Sequence, residues 1–111
     1  MNNSNLDQLL QSYREDNSQE TFWAIYNLRK DSLKLTGPQK EVIRELKNGS
    51  VIVLVNEHHR SGGQWTWNTT QGGTIYKPFW GAMDKILAGT QHTRIPKGFI
   101  LSVKEFKLLD R

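Results

Sequence analysis

Glu57, His58 and His59 form the only grouping of metal-ligating residue types in the chain, with a third histidine, His92, further on. Two neutral imidazoles and a carboxylate can fill three positions around zinc or iron, which would make the chain a small metal-dependent enzyme. The adjacency of the histidines works against this. Neighbours on a strand point to opposite faces, and helix positions share a face only when three or four apart, so a site here would need a special loop. The segment reads instead as a solvated loop, with no metal and no cofactor expected. Nucleophilic catalysis has less behind it: the chain lacks cysteine, and Ser61 and Ser102 have neither an elbow nor a triad context. Glu57 and Asp84 are the only acids between residues 46 and 104, and nothing in their spacing sets them against each other. Arg60-Ser61-Gly62-Gly63 could form a small backbone nest for an anion, but it lacks the Lys-Ser/Thr ending of a phosphate loop and leads into no helix. No enzymatic activity is expected.

A mixture of aromatic and basic residues says more. Trp65, Trp67, Tyr76 and Trp80 lie within sixteen positions, beside Arg60, Lys77 and Lys85. Aromatic faces flanked by cations are what stacking on bases and contacting phosphates require. The same tryptophans are also among the largest apolar groups of a small domain, so each reads first as core and becomes a partner surface only if exposed.

Periodicity supplies the elements that must position these residues. Leu6, Leu9, Leu10 and Tyr13 follow the i, i+3, i+4, i+7 spacing of one helical stripe and predict a helix over about residues 5 to 16. Asn17 or Ser18 stands where an N-cap belongs, and Phe22, Ile25, Tyr26 and Arg29 line one face of a second helix over about 18 to 31, with Trp23 beside it. Thr36-Gly37-Pro38-Gln39 is a capping box with proline in the first turn, opening a third helix over about 37 to 47 that Asn48-Gly49 ends. Its core side is Val42, Ile43 and Leu46.

From Ser50 the pattern changes. Val51 to Val55 is apolar on both faces, as a central strand covered on two sides should be. Gln64 to Thr69 alternates and reads as its antiparallel partner, joined through the wing-like loop of residues 56 to 63. After the Gln71-Gly72-Gly73 turn, Ile75 and Tyr76 suggest a short strand. Pro78 then opens a helix with Phe79, Trp80, Met83, Ile86 and Leu87, stopped at Gly89. Residues 92 to 95 and 99 to 101 read as a hairpin around Pro96-Lys97-Gly98, and Ser102 to Glu105 as a capping box opening a last helix.

Length and charge bound what such a chain can be. Its 111 residues make one domain, of which 1–34 is a helical N-terminal part and 35–111 a mixed α and β part. A hydrophobic fraction of 36% is low, but four tryptophans, three tyrosines and four phenylalanines suffice for one core. No apolar run reaches membrane-spanning length, and the Asn-rich start does not read as a secretion signal, so a cytoplasmic protein is expected. The absence of cysteine is compatible with that reducing compartment. The formal net charge of +4 conceals an asymmetry: residues 1 to 33 hold three cations and five acids, the remainder twelve cations and six acids. An anionic partner follows more naturally than a cationic one.

Gln39 to Gly49, then Gly72-Gly73-Thr74-Ile75 leading into the helix of Phe79 to Leu87, then Gly98-Phe99-Ile100-Leu101-Ser102 give an order of helix, strand, wing, strand, helix and strand pair. That order resembles small winged-helix-like domains of bacterial and phage proteins over about two thirds of the chain. In a regular winged helix the recognition helix precedes the wing, whereas here the loop lies between the third and fourth helices, so groove assignments do not carry over.

The expected fold class is α+β: two N-terminal helices and a winged-helix-like unit with a small antiparallel β-sheet. The expected function is non-catalytic binding of nucleic acid, DNA or RNA, through His58, His59, Arg60, Lys77, Lys85, Arg94 and Lys97. A phage or mobile-element protein that binds and inhibits a host protein, with Trp65, Trp67 and Trp80 as partner-surface aromatics, is the alternative. A metal enzyme using Glu57, His58 and His59 comes third. Oligomeric state is left open.

Overall fold

The computed structural model describes residues 3–56, 64–67, 76–90 and 95–109. Within them the chain forms α1 (Asn3–Glu15), α2 (Gln19–Arg29), α3 (Gly37–Lys47), β1 (Ile52–Asn56), β2 (Gln64–Trp67), α4 (Tyr76–Ile86), β3 (Ile100–Ser102) and α5 (Val103–Leu109). Local chemistry accounts for most of the boundaries. The Ser18 hydroxyl accepts the Thr21 N–H and caps α2. Both halves of the box at Thr36 and Gln39 are formed: the Thr36 hydroxyl accepts from the Gln39 N–H, and Gln39 Oε1 accepts from the Thr36 N–H at 3.0 Å. Past α3 the chain reverses through Gly49 at a φ of +93°, and the Ser50 N–H returns to the Glu45 carbonyl. A side chain at that φ would be strained.

The expected antiparallel sheet is corrected by the strand order β2-β1-β3. β1 runs antiparallel to β2, with Ile52 opposite Trp67 and Leu54 opposite Trp65, but parallel to β3, with Ile52 beside Ile100 and Leu54 beside Ser102. Among the described residues the chain is predominantly helical, five helices set against strands of only five, four and three residues, and β1 and β3 form a parallel pair. The physical reason lies in the connection: a parallel pair needs a crossover of a dozen or more residues, and the stretch containing α4 supplies it. Ile100–Ser102 pairs with β1, and the first arm of the hairpin expected between 92–95 and 99–101 falls largely on residues 91–94, outside the described ones. Tyr76, expected in a short strand, opens α4, since a proline is tolerated within the first turn of a helix and need not mark its first residue.

One core gathers residues from both parts of the chain: Leu10 and Tyr13 of α1, Phe22 and Ile25 of α2, Val42, Ile43 and Leu46 of α3, Ile52 of β1, Phe79, Met83 and Ile86 of α4, and Phe99 before β3. Phe22 is the hub of its aromatic section, meeting Trp23 edge-on at 4.9 Å and Phe99 at 5.2 Å. Ile52 faces this core. Val53, turned to the other face by the pleat, is equally buried, and α5, which lies against β1 and β3, is the element available to cover that face. Among the described residues, no helix is long and apolar enough to cross a membrane.

Candidate functional site

Four of the expected nucleic-acid contacts, His58, His59, Arg60 and Arg94, lie outside the described residues, as does Glu57. Trp65 and Trp67 fall in β2, where only their backbone register is described. The other candidates separate into different situations. Lys77 is exposed in the first turn of α4. A cation there sits against the positive end of the helix, a small cost that an incoming phosphate would reverse. Lys85 is used internally: its Nζ donates to the Lys34 carbonyl at 2.7 Å and to Gln39 Oε1 at 2.8 Å, tying α4 to the start of α3. Lys97 Nζ reaches Asp16 Oδ1 at 2.8 Å, an exposed pair at the corner between α1 and α2. Trp80 is half-buried, packed against the core and edge-on to Phe79 at 5.5 Å, which is the core role its size suggested.

Two further cations are structural. Arg29 Nη1 donates to the Ile86 carbonyl at 2.7 Å, closing the C-terminal end of α4, and burial lowers its pKa from the usual arginine value. Lys47 Nζ stands 5.7 Å from the centre of the Tyr26 ring.

Three acids of the C-terminal part have local partners, whereas Asp84 is exposed with no ion pair among the described residues. Glu41 pairs with Arg44 one turn away on α3, and Glu45 accepts the Ser50 hydroxyl at 2.8 Å. Glu105 accepts the Ser102 N–H at 2.8 Å while the Ser102 hydroxyl accepts the Glu105 N–H. The hydrogen bonds from Ser102, its backbone first, hold the Glu105 carboxyl below its ordinary pKa. Lys40, Lys77, Lys104 and Lys107, by contrast, are exposed and have no ion pair among the described residues. Charge counting along the chain found the excess of cations but not the partners of Glu41 and Glu45; that of Glu105 follows from the spacing of the Ser102 capping box.

Sequence reasoning also missed an open groove of about 540 Å³ between α1 and α2. It is lined by Leu9, Ala24 and Leu28 together with the polar Asn5, Gln8, Ser12 and Asn27. A signal for it exists: Leu28 falls off the Phe22, Ile25, Tyr26, Arg29 face and is 39% exposed, an apolar residue on the side of the helix away from the core. Among the described residues no three His, Cys, Asp or Glu side chains gather as metal ligands would. Compared with models of known protein families, with curated proteins and with solved structures, the chain matches none.

Proposed function

We propose that the chain is a non-catalytic binding protein of the cytoplasm whose basic C-terminal two thirds holds nucleic acid by its phosphates. The observation that supports this is the fate of the charges just described. Glu41, Glu45 and Glu105 are engaged within their own helix ends, whereas Lys40, Lys77, Lys104 and Lys107 face solvent. Those carboxylates keep their charge, so the field a polyanion meets comes from the excess of twelve cations over six acids in residues 34–111, and these four exposed lysines are its accessible part. Lys77 at the start of α4 is the described residue best suited to a phosphate, with Arg60, His58, His59 and Arg94 as the contacts that the sequence adds. Lys85 and Lys97 contribute field, since their ammonium groups already have acceptors.

Phosphate contacts release counterions, so log affinity for DNA or RNA should fall linearly with log salt. Arg60→Ala with Lys77→Ala should weaken binding to every sequence alike and reduce the salt slope by about 1 to 2, each lost contact removing about 0.9. A gel-shift series from low to physiological salt measures both. Retention of neither DNA nor RNA at the lowest salt would overturn the reading.

A further inference from the structure

Asn48-Gly49 is the one step in the chain where glycine follows asparagine. Asparagine is chemically labile, and a following glycine has no Cβ to shield its nitrogen from the neighbouring side chain. The Gly49 nitrogen can therefore bond to Asn48 Cγ while the Cγ–Nδ2 bond breaks, the proton lost from the Gly49 N–H leaving with the side-chain nitrogen as ammonia. One water then opens the five-membered imide at either carbonyl. The product is aspartate, or isoaspartate with the main chain running through the former side chain. The fold presents this step to solvent at the C-terminal end of α3. Asn48 is the C-cap residue and exposed, and among the described residues no hydrogen bond holds its side-chain amide. Around Gly49 the space is open: even an added Cβ would meet nothing within 4 Å.

The closed turn, however, holds the reacting atoms apart. The imide ring contains Cγ, Cβ, Cα, the Asn48 carbonyl carbon and the Gly49 nitrogen, so Cβ and that nitrogen must lie on the same side of the Cα–C bond. At the observed ψ of 3° the nitrogen instead eclipses the Asn48 backbone nitrogen, and the bond must turn by about a third of a revolution. That rotation breaks the end of α3. It pulls the Gly49 N–H from the Leu46 carbonyl, 3.1 Å away, and the Ser50 N–H from the Glu45 carbonyl at 3.0 Å, while the Ser50 hydroxyl adds a further tie to Glu45 Oε1 at 2.8 Å. We propose that Asn48 is a site of spontaneous deamidation whose rate in the folded protein is set by opening of this turn. The modification works against reclosure. A carboxylate at residue 48 stands at the negative end of α3, and isoaspartate lengthens the backbone between α3 and the buried Ile52 of β1. The inference is independent of the nucleic-acid reading.

Incubation of the full chain at mildly alkaline pH, folded in buffer and unfolded in concentrated urea, tests this by peptide mass mapping that locates each asparagine converted to aspartate or isoaspartate. In urea, Asn48 should react ahead of every other asparagine. The folded protein should react at the same residue at least about tenfold more slowly, since two backbone hydrogen bonds must open first. Hydrogen exchange at the Gly49 amide measures that same opening, so its protection factor and the slowing of deamidation should agree within about threefold. Ser50→Ala removes the hydroxyl tie to Glu45 and should raise both rates together by about threefold to tenfold, with circular dichroism showing the variant folded. Three results would each overturn the proposal: folded and unfolded chains reacting equally fast, another asparagine reacting first in urea, or a deamidation rate that does not follow Gly49 exchange in the wild type and in Ser50→Ala.

Discussion

Asn17 shows what a single side chain can do that its place in the sequence does not announce. Its position suggests an N-cap for α2, but Ser18 performs that role, and Asn17 turns inward to donate from Nδ2 to the Ile95 carbonyl at 2.5 Å. The Asn17 backbone carbonyl accepts the Lys97 N–H at 2.9 Å, and the neighbouring Gln19 Nε2 donates to the Lys97 carbonyl at 2.8 Å. The corner between α1 and α2 thereby supplies the polar partners that the turn at 95–98 needs once Pro96 is buried. Asn17→Ala leaves the Ile95 carbonyl without this donor and should cost about 1 to 3 kcal/mol in urea unfolding. Asn17→Asp should cost more, because an ionised carboxylate cannot donate to a carbonyl and sets a negative charge against it. Equal midpoints for Asn17→Asp and wild type would show that this hydrogen bond does not hold the corner. No spacing rule finds such a contact, since its partners are 78 residues apart.

Elements whose ends are written in neighbouring residues were legible; those whose partners are distant were not. Thr36 with Gln39 and Ser102 with Glu105 are both four-residue boxes, and both form as their spacing predicts. Thr36→Ala should lower stability by about 1 kcal/mol, the usual worth of such a cap. Glu105 adds a pH signature with a definite sign. Its folded-state pKa lies below the ordinary 4.5, so the contact stabilises α5 fully above that value and is lost as pH falls through the lower folded-state value. Hydrogen exchange of the α5 amides in an acid titration should show protection decreasing in that window, and Glu105→Gln, which keeps an acceptor but cannot titrate, should remove the dependence. An unchanged acid transition in the glutamine variant would assign it to another group. The central strand was legible for a similar local reason, two apolar faces in succession, realised in the full burial of Ile52 and Val53. The direction of β3 was not, because nothing within residues 99 to 102 distinguishes a hairpin partner nearby from a parallel partner nearly fifty residues earlier.

At the scale of the whole molecule, the division of the chain into a helical part and a mixed part does not describe how the core is built. The aromatic hub at Phe22 belongs to the first part and its edge-on partner Phe99 to the second, while Arg29 of α2 closes the end of α4 through the Ile86 carbonyl. Leu10, Tyr13, Phe22 and Ile25 are buried in the same cluster as Phe79, Met83, Ile86 and Leu87. Removing residues 1–34 would therefore expose the α4 face and Phe99, and would take away the acceptors and donors at Asn17 and Gln19 that fix the 95–98 turn. Stabilities of about 5 to 15 kcal/mol are typical of domains this size, and one core phenylalanine cut to alanine costs about 3 to 5, so losing four buried residues at once exceeds what the remainder can supply. The fragment 35–111 should accordingly lack a cooperative thermal transition and near-ultraviolet dichroism, while the full chain, with its single shared core, should unfold in one transition by both backbone and tryptophan signals. Phe99→Ala in the full chain should move both signals together to lower temperature. A fragment that melts cooperatively on its own, or a Phe99→Ala chain whose N-terminal helices melt apart from the rest, would mean that the two parts merely touch and that the core assigned here is two cores in contact.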